Sequence, residues 1–247
     1  EVAIQNLGGF PLYLGPQELG LGTRESISDI TKVLSRYVDG IVYRTFSHSN
    51  LQEMVANSTV PIINALSNVE HPCQTLADLL TIMEYKGTIA DLNISYVGDG
   101  NNVASSLALG VLSCGSNFSI AHPINYGFHN EILEQANEIL KFSKNLFILS
   151  NQPDEILSNC DVIYTDVWTS MGQEDEHAKR LLAFQNFQIN ELRIKNAGPS
   201  SLFMHPMPAH YDEEISKGLF NHPQSIVFDQ AENRLHAQQA LLEAIIV

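Results

Sequence analysis

The sequence is poor in basic residues: 13 lysines and arginines stand against 28 aspartates and glutamates, which gives a formal net charge of −15. A surface of this sign repels nucleic acids and anionic membranes, and this argues against both as partners. It does not exclude a small anionic substrate, because a pocket needs only a few local cations. The charge balance therefore leaves a small anionic substrate open.

Cysteine and long apolar runs are also scarce. Cys73, Cys114 and Cys160 lie far apart and form no C-x-x-C pair, so neither a disulfide framework nor a zinc site is indicated, and a reducing cytoplasm fits. No apolar run approaches the length that spans a membrane, and residues 1–9 lack the layout of a signal peptide. With 247 residues, 44% of them hydrophobic, the chain is expected to form one large or two small globular domains.

Short apolar runs alternate with helical patterns along most of the chain. Strands are predicted at residues 10–14, 40–43, 60–66, 94–97, 118–121, 146–149, 161–165, 202–204 and 226–228. Such alternation predicts an α/β fold with parallel sheets and crossover helices. Because the pattern restarts near residues 87–93, we predict two doubly wound parallel-sheet domains, 1–86 and 87–229, and a closing helix, 230–247, that packs back on the first domain.

Polar residues follow several of the predicted strands directly. Arg44, Asn101–Asn102, Asp166 and His205 each follow an apolar run. Open α/β sheets bind ligands at the carboxyl ends of their strands. Each residue taken alone is equally compatible with an ordinary loop, but together they predict a cleft that contains a cation, amides, a carboxylate and an imidazole.

The stretch Glu70–Leu80 places His71 and Gln74 where a predicted strand meets a predicted helix. The free N–H groups and positive potential of a helix N-terminus suit an anion or a polarised carbonyl oxygen. Ordinary capping roles for both residues are the alternative.

Two further loops invite a functional interpretation. Gly98–Val103 follows a strand but lacks the third glycine of a dinucleotide-binding motif, so no nucleotide site is predicted, and Asp99 is a candidate helix N-cap. The loop 166–174 carries a carboxylate that suits an ammonium group, with Ser170 as a simple helix cap as the alternative. No nucleophile elbow and no histidine cluster with metal-ligand spacing is present.

These motifs together resemble the aspartate/ornithine carbamoyltransferase family, and most closely its ornithine branch. The matching segments are His71–Gln74 (H-P-x-Q), Tyr43–Thr45 (the carbamoyl-phosphate arginine), Gly98–Asn102 (the asparagine turn), Asp166 with Ser170–Gly172 (D-x-x-x-S-M-G) and Ala231–Arg234 (the arginine of the closing helix). They occur in the family's order and cover essentially the whole chain.

The resemblance implies transfer of a carbamoyl group from carbamoyl phosphate to the side-chain amine of L-ornithine, without a metal or organic cofactor. The catalytic residues it implies are Arg44, His71, Gln74 and Arg234. The ornithine-binding residues it implies are Asn102, Asp166, Ser170 and Met171, together with the backbone carbonyls of Pro206 and Met207. It also implies a cytoplasmic enzyme that assembles as a homotrimer or a multiple of trimers.

Two departures from the family pattern leave alternatives open. The family's phosphate-binding loop, S-T-R-T-R, is expected just before Glu1 with the first helix and strand of its domain, so we expect the chain as given to bind carbamoyl phosphate weakly. The ornithine branch usually has H-C-L-P where this chain has His205–Pro208. A catalytically silent relative, or an enzyme for putrescine, an acylated ornithine or aspartate, therefore remains an alternative.

Overall fold

The computed structural model describes residues 1–20, 25–170 and 172–246; Met171, one of the predicted ornithine-binding residues, lies outside them. The α-helices are Val2–Asn6 (α1), Pro16–Leu19 (α2), Ile27–Leu34 (α3), His48–Asn57 (α4), Pro72–Lys86 (α5), Asn102–Ser113 (α6), Asn130–Leu140 (α7), Pro153–Leu157 (α8), His177–Phe184 (α9), Glu191–Ala197 (α10) and Val227–Ile246 (α11). The strands are Ile41–Arg44 (β1), Ile62–Leu66 (β2), Asn93–Val97 (β3), Asn117–Ala121 (β4), Phe147–Ser150 (β5), Val162–Tyr164 (β6) and Leu202–Met204 (β7).

The strands form two separate parallel sheets. In the described residues, β1 and β2 form a two-stranded sheet, and the other five form a sheet in the order β5-β4-β3-β6-β7. The direction in which successive strands are added reverses at β3, since β4 lies on one side of β3 and β6 lies on the other. The predicted α/β fold with parallel sheets is therefore confirmed.

The five-stranded sheet has a deep apolar core. All three residues of β6 are buried, and the rings of Tyr96 and Tyr164 from adjacent strands stack 5.7 Å apart. Helix α6 covers one face with Leu107 and Val111, both fully buried. Burial on both faces is the expected state of a central parallel strand, and it explains why these strands are continuously apolar in the sequence.

Helix α5 connects the two halves of the molecule. Its residue Ile82 belongs to the core of the five-stranded sheet, whereas Cys73 packs with Ile63 and Leu242 in a separate small cluster beside the two-stranded sheet. Helix α11 runs along α5 and also meets α1, where Asn6 Nδ2 donates to Gln239 Oε1 at 3.1 Å. The C-terminal helix thus returns to the N-terminal part of the chain.

Two of the strand predictions are wrong. Residues 10–14 form neither strand nor helix, and Phe10 and Tyr13 are largely exposed, because no strand of the described chain supplies a hydrogen-bonding partner there. Residues 227–228 belong to α11, and Ile226 directly precedes it. The buried residues Val227, Gln230 and Asn233 recur every three positions, which is a helical spacing that the apolar triplet obscures.

Within the described residues, none of the helices combines the length and the apolar character needed to cross a membrane.

Candidate active site

His71 and Gln74 lie at the start of α5. His71 is the residue before the helix, and Pro72 occupies the first helical position, which suits its fixed φ angle. The backbone N–H of His71 donates to Ser106 Oγ at 2.8 Å and so ties this junction to α6. His71 is 7% exposed and Gln74 is 2% exposed. The junction therefore presents an imidazole and an amide that are largely shielded from water.

The imidazole of His71 lies close to two positive charges. Its pKa is lowered to about 4, first by burial and then by the charges of Arg234 and Arg44. His71 is consequently neutral at neutral pH, and its Nδ1 is buried without a hydrogen-bond partner in the described structure. Because both guanidinium charges act on it, the structure brings together side chains from β1, from the start of α5 and from α11.

Gln74 and Arg234 are in direct contact. Arg234 Nη1 donates to Gln74 Oε1 at 2.8 Å, and Gln74 Nε2 donates to Asp78 Oδ1 at 2.9 Å. Arg44 is the last residue of β1 and has an exposed side chain. The four residues predicted to be catalytic thus lie in one region, with an anion-attracting set of two cations and the N-terminus of a helix.

A second polar cluster lies at the carboxyl edge of the five-stranded sheet. Asn101 follows β3 and Asp166 follows β6, the two strands at the point where the strand order reverses, and Asn101 Nδ2 donates to Asp166 Oδ2 at 2.8 Å. This is where doubly wound sheets bind ligands. Burial raises the pKa of Asp166, while the nearby His205 acts in the opposite direction.

The two asparagines of the turn before α6 have different roles. Asn101 Oδ1 caps α6 by accepting from the backbone N–H groups of Val103 and Ala104, in addition to the bond that its amide makes with Asp166. Asn102, the predicted ornithine-binding residue, donates through Nδ2 to the carbonyl oxygen of Ser67 at 2.7 Å. Asn102 therefore joins the loop after β2 to the second sheet and lies between the two polar clusters.

Asp99 is not a helix cap, so that prediction is wrong. Arg180 Nη1 donates to Asp99 Oδ2 at 2.6 Å and to the carbonyl oxygen of Trp168 at 2.9 Å, and the guanidinium lies 5.1 Å from the centre of the Tyr126 ring. This buried ion pair anchors the loop after β6 to the turn after β3. No local sequence signal connects residues 81 positions apart.

The remaining predicted residues lie on two loops. Ser170 is half-buried and caps no helix of the described chain; its N–H donates to Gln173 Oε1 at 3.1 Å. The Pro206 carbonyl oxygen lies 2.6 Å from His205 Nδ1, and Met207 is 43% exposed. The roles of these residues toward a substrate stay predictions.

Sequence reasoning missed Glu214. His205 and Glu214 are both fully buried, and His205 Nε2 lies 3.1 Å from Glu214 Oε1. His205 Nδ1 in turn lies 2.6 Å from the Pro206 carbonyl oxygen, so both ring nitrogens have partners within the protein. The pair fixes the backbone that follows β7.

One group of side chains in the described residues has the composition of a metal site. His210, Glu213 and Glu214 bring potential ligand atoms within 4.8 Å of one another. Glu214 Oε1, however, already accepts from the His210 backbone N–H at 2.6 Å and faces His205, so this carboxylate serves the protein itself. The spacing of these residues in the sequence did not indicate such a group.

Comparison with known proteins divides the chain at the same place as the two sheets. Residues 1–84 match the family model "Aspartate/ornithine carbamoyltransferase, carbamoyl-P binding domain", and residues 90–245 match "Aspartate/ornithine carbamoyltransferase, Asp/Orn binding domain".

Named relatives match over nearly the whole chain. The chain is 46% identical to ornithine carbamoyltransferase from Thermococcus kodakarensis, over 100% of this chain and 78% of the relative. It is 49% identical to the ornithine carbamoyltransferase from Archaeoglobus fulgidus, over 98% and 78%. The solved ornithine carbamoyltransferase from Pyrococcus furiosus superposes with a TM-score of 0.96 at 45% identity, over 100% of this chain and 79% of that one. On this evidence, the chain belongs to the aspartate/ornithine carbamoyltransferase family.

Proposed function

We propose that this protein transfers the carbamoyl group of carbamoyl phosphate to the side-chain amine of L-ornithine, giving citrulline and phosphate. The observation that carries the proposal is the buried neutral imidazole of His71, which lies near the cations Arg44 and Arg234 and beside the amide of Gln74. A second polar cluster, around Asp166, lies across Asn102 from it. This arrangement suits an anionic carbamoyl donor at the first cluster and an amino acid that accepts the carbamoyl group at the second.

In the proposed reaction, Arg44 and His71 donate hydrogen bonds to the carbonyl oxygen of the bound carbamoyl phosphate. The neutral amine of ornithine attacks the carbonyl carbon, and the negative charge that develops on the oxygen is stabilised by these donors. A C–N bond forms, the C–O bond to phosphate breaks, phosphate leaves with its electron pair, and the proton that the amine loses passes to the departing phosphate. A neutral His71 fits this role, because an uncharged imidazole still has one ring N–H that can donate to the carbonyl oxygen.

The acceptor is held at the second cluster. Asn102, Asp166, Ser170 and Met171 bind the amino-acid end of ornithine, and the carbonyl oxygens at residues 206–207 accept from its side-chain amine. The raised pKa of Asp166 reflects a carboxylate that burial leaves short of positive partners, and an ammonium group would supply one.

Replacing the strand-end arginine tests the proposal. Arg44→Ala in the full-length gene product removes one oxyanion donor, and we expect kcat for citrulline formation to fall by about 10²–10³-fold. Arg36→Ala is the matched control, because it removes a positive charge from a residue outside the site. An Arg44→Ala enzyme with undiminished kcat would contradict the assigned role.

The acceptor deserves a separate test, since Pro206 replaces the usual cysteine. A panel of ornithine, putrescine, N-acetylornithine, N-succinylornithine and aspartate, followed by colorimetric detection of the ureido product, should show a clear preference for ornithine. Preference for aspartate would overturn the choice of acceptor. A catalytically silent relative is not favoured, because the chain aligns from end to end with named ornithine carbamoyltransferases.

We further propose a cytoplasmic location and assembly into trimers or multiples of trimers. The location is supported by three cysteines, none of which forms a disulfide. The assembly rests on the resemblance alone. Sedimentation analysis tests it, and a monomer at micromolar concentration would contradict it.

A further inference from the structure

Asp78 is the centre of a buried hydrogen-bond network behind the candidate active site. It is fully buried between α5, α11 and β6. Its Oδ1 accepts from Gln74 Nε2 at 2.9 Å and from Gln230 Nε2 at 2.8 Å, and its Oδ2 accepts from the Tyr164 hydroxyl at 2.9 Å. The carboxylate is thus held in place by donors from three different elements.

The network fixes which way the Gln74 amide points. An ionised carboxylate only accepts hydrogen bonds, whereas a glutamine amide has a donor end and an acceptor end. Gln74 therefore turns Nε2 toward Asp78 and Oε1 toward the site, where Arg234 Nη1 donates to it. A flipped amide would set oxygen against the carboxylate and N–H against the guanidinium, and both contacts would be repulsive.

The chemical consequence concerns the donor substrate. A carbamoyl group carries an NH₂, which donates hydrogen bonds, in the position where an acetyl group carries a methyl. The Gln74 oxygen has a second lone pair beyond the one that faces Arg234 and can accept from such an NH₂. A site built to hydrogen-bond an NH group discriminates strongly against an analogue that lacks it.

We propose that Asp78 is a positioning residue that keeps the Gln74 carbonyl oxygen directed into the site and thereby makes the site select carbamoyl phosphate over acetyl phosphate. This inference rests on the proposed function. Burial raises the pKa of Asp78 to about 6, so the carboxylate is ionised at the pH of a standard assay and holds the amide in this orientation.

The test compares carbamoyl phosphate and acetyl phosphate as ligands in variants of the full-length gene product. For each variant, kcat/KM for carbamoyl phosphate is measured with ornithine, and the inhibition constant of acetyl phosphate is measured in the same assay. Asp78→Ala frees the Gln74 amide, and we expect kcat/KM for carbamoyl phosphate to fall about tenfold, the worth of one lost hydrogen bond, while acetyl phosphate binds within about twofold of its original strength. Asp78→Asn should retain most of the selectivity, because its amide oxygen can still accept from Gln74.

Thr81→Val is the matched control. Thr81 is fully buried on the same helix, one turn away, and accepts from Asn233 Nδ2 at 3.0 Å, but it does not contact Gln74. The Thr81→Val variant should therefore keep its preference for carbamoyl phosphate over acetyl phosphate. Unchanged selectivity in Asp78→Ala, or the same loss in Thr81→Val, would overturn the inference.

If Asp78→Ala proves unfolded by circular dichroism, the orientation of the Gln74 amide is tested in the unmodified protein instead. The Gln74 Nε2 protons should exchange slowly with solvent by NMR and should remain protected when carbamoyl phosphate is added. Exchange at the rate of a free amide would refute the orientation. If the unmodified protein forms no citrulline, the proposed function is refuted instead. The two experiments therefore distinguish failure of this inference from failure of the proposed function.

Discussion

The two sheets support the two halves of the candidate site in different ways. The five-stranded sheet supplies Asp166 from a strand whose three residues are all buried in a large core of its own. The two-stranded sheet supplies Arg44 from a strand in which Val42 is 52% exposed, and its nearest apolar cluster depends on α5, α11 and α1. The acceptor half is thus built on a self-contained core, while the donor half depends on packing between segments that are distant in the sequence.

The largest effect expected from this contrast is a difference in core stability. Phe118 is fully buried and contacts the rings of Phe128 and Phe147, at 6.4 and 6.2 Å between centres. Phe118→Ala should lower the free energy of unfolding by about 3–5 kcal/mol because it leaves a cavity, whereas Val42→Ala on β1 should cost less than about 0.5 kcal/mol. Urea titration followed by the fluorescence of Trp168, the single tryptophan, measures both. Similar losses for the two variants would remove the contrast.

A smaller effect should separate the two halves directly. Leu242 is 7% exposed and packs α11 onto Ile63 and Cys73. Leu242→Ala should destabilise this small cluster by about 2 kcal/mol, at the low end for such a substitution, and hydrogen exchange should accelerate in β1 and β2 but not in β3 or β6. Ile245→Ala, at a residue that is 41% exposed on the same helix, is the control. Uniform acceleration across both sheets would show that they unfold together.

The smallest effect is a pH dependence that originates at His71. Its pKa falls from 6.5 to about 4 on folding, so its contribution to stability is full above pH 6.5 and is lost as the pH falls toward 4. By about pH 5.5 the loss should be about 1.4 kcal/mol. NMR titration should find the imidazole still neutral there.

A second buried group acts against this trend. Asp78 has a raised pKa of about 6, so its contribution to stability is present below about 3.8 and is lost as the pH rises through 6. His71→Gln keeps Asp78 unchanged, so the difference between this variant and the original protein isolates the histidine. Parallel stability curves for the two proteins would rule out the assigned pKa shift.

Sequence periodicity located most of the secondary structure but failed in two short apolar segments. The apolar run at residues 10–14 has the composition of a strand, yet a strand also needs a partner, and partners are not encoded locally. At residues 226–228, three apolar residues could not distinguish the first turn of a helix from a short strand.

The sequence by itself determined the alternation of strands and helices, the positions of Arg44 and Asp166 at the ends of apolar segments, the position of His71 at the start of a helix, and the family motifs. Those features depend on residues within a few positions of one another. Only the tertiary structure decided that Asn101 rather than Asn102 contacts Asp166, that Asp99 pairs with Arg180, and that Gln230 donates to Asp78. These contacts join residues 65, 81 and 152 positions apart, and a bond between distant segments depends on how the helices pack, which no local pattern of residues specifies.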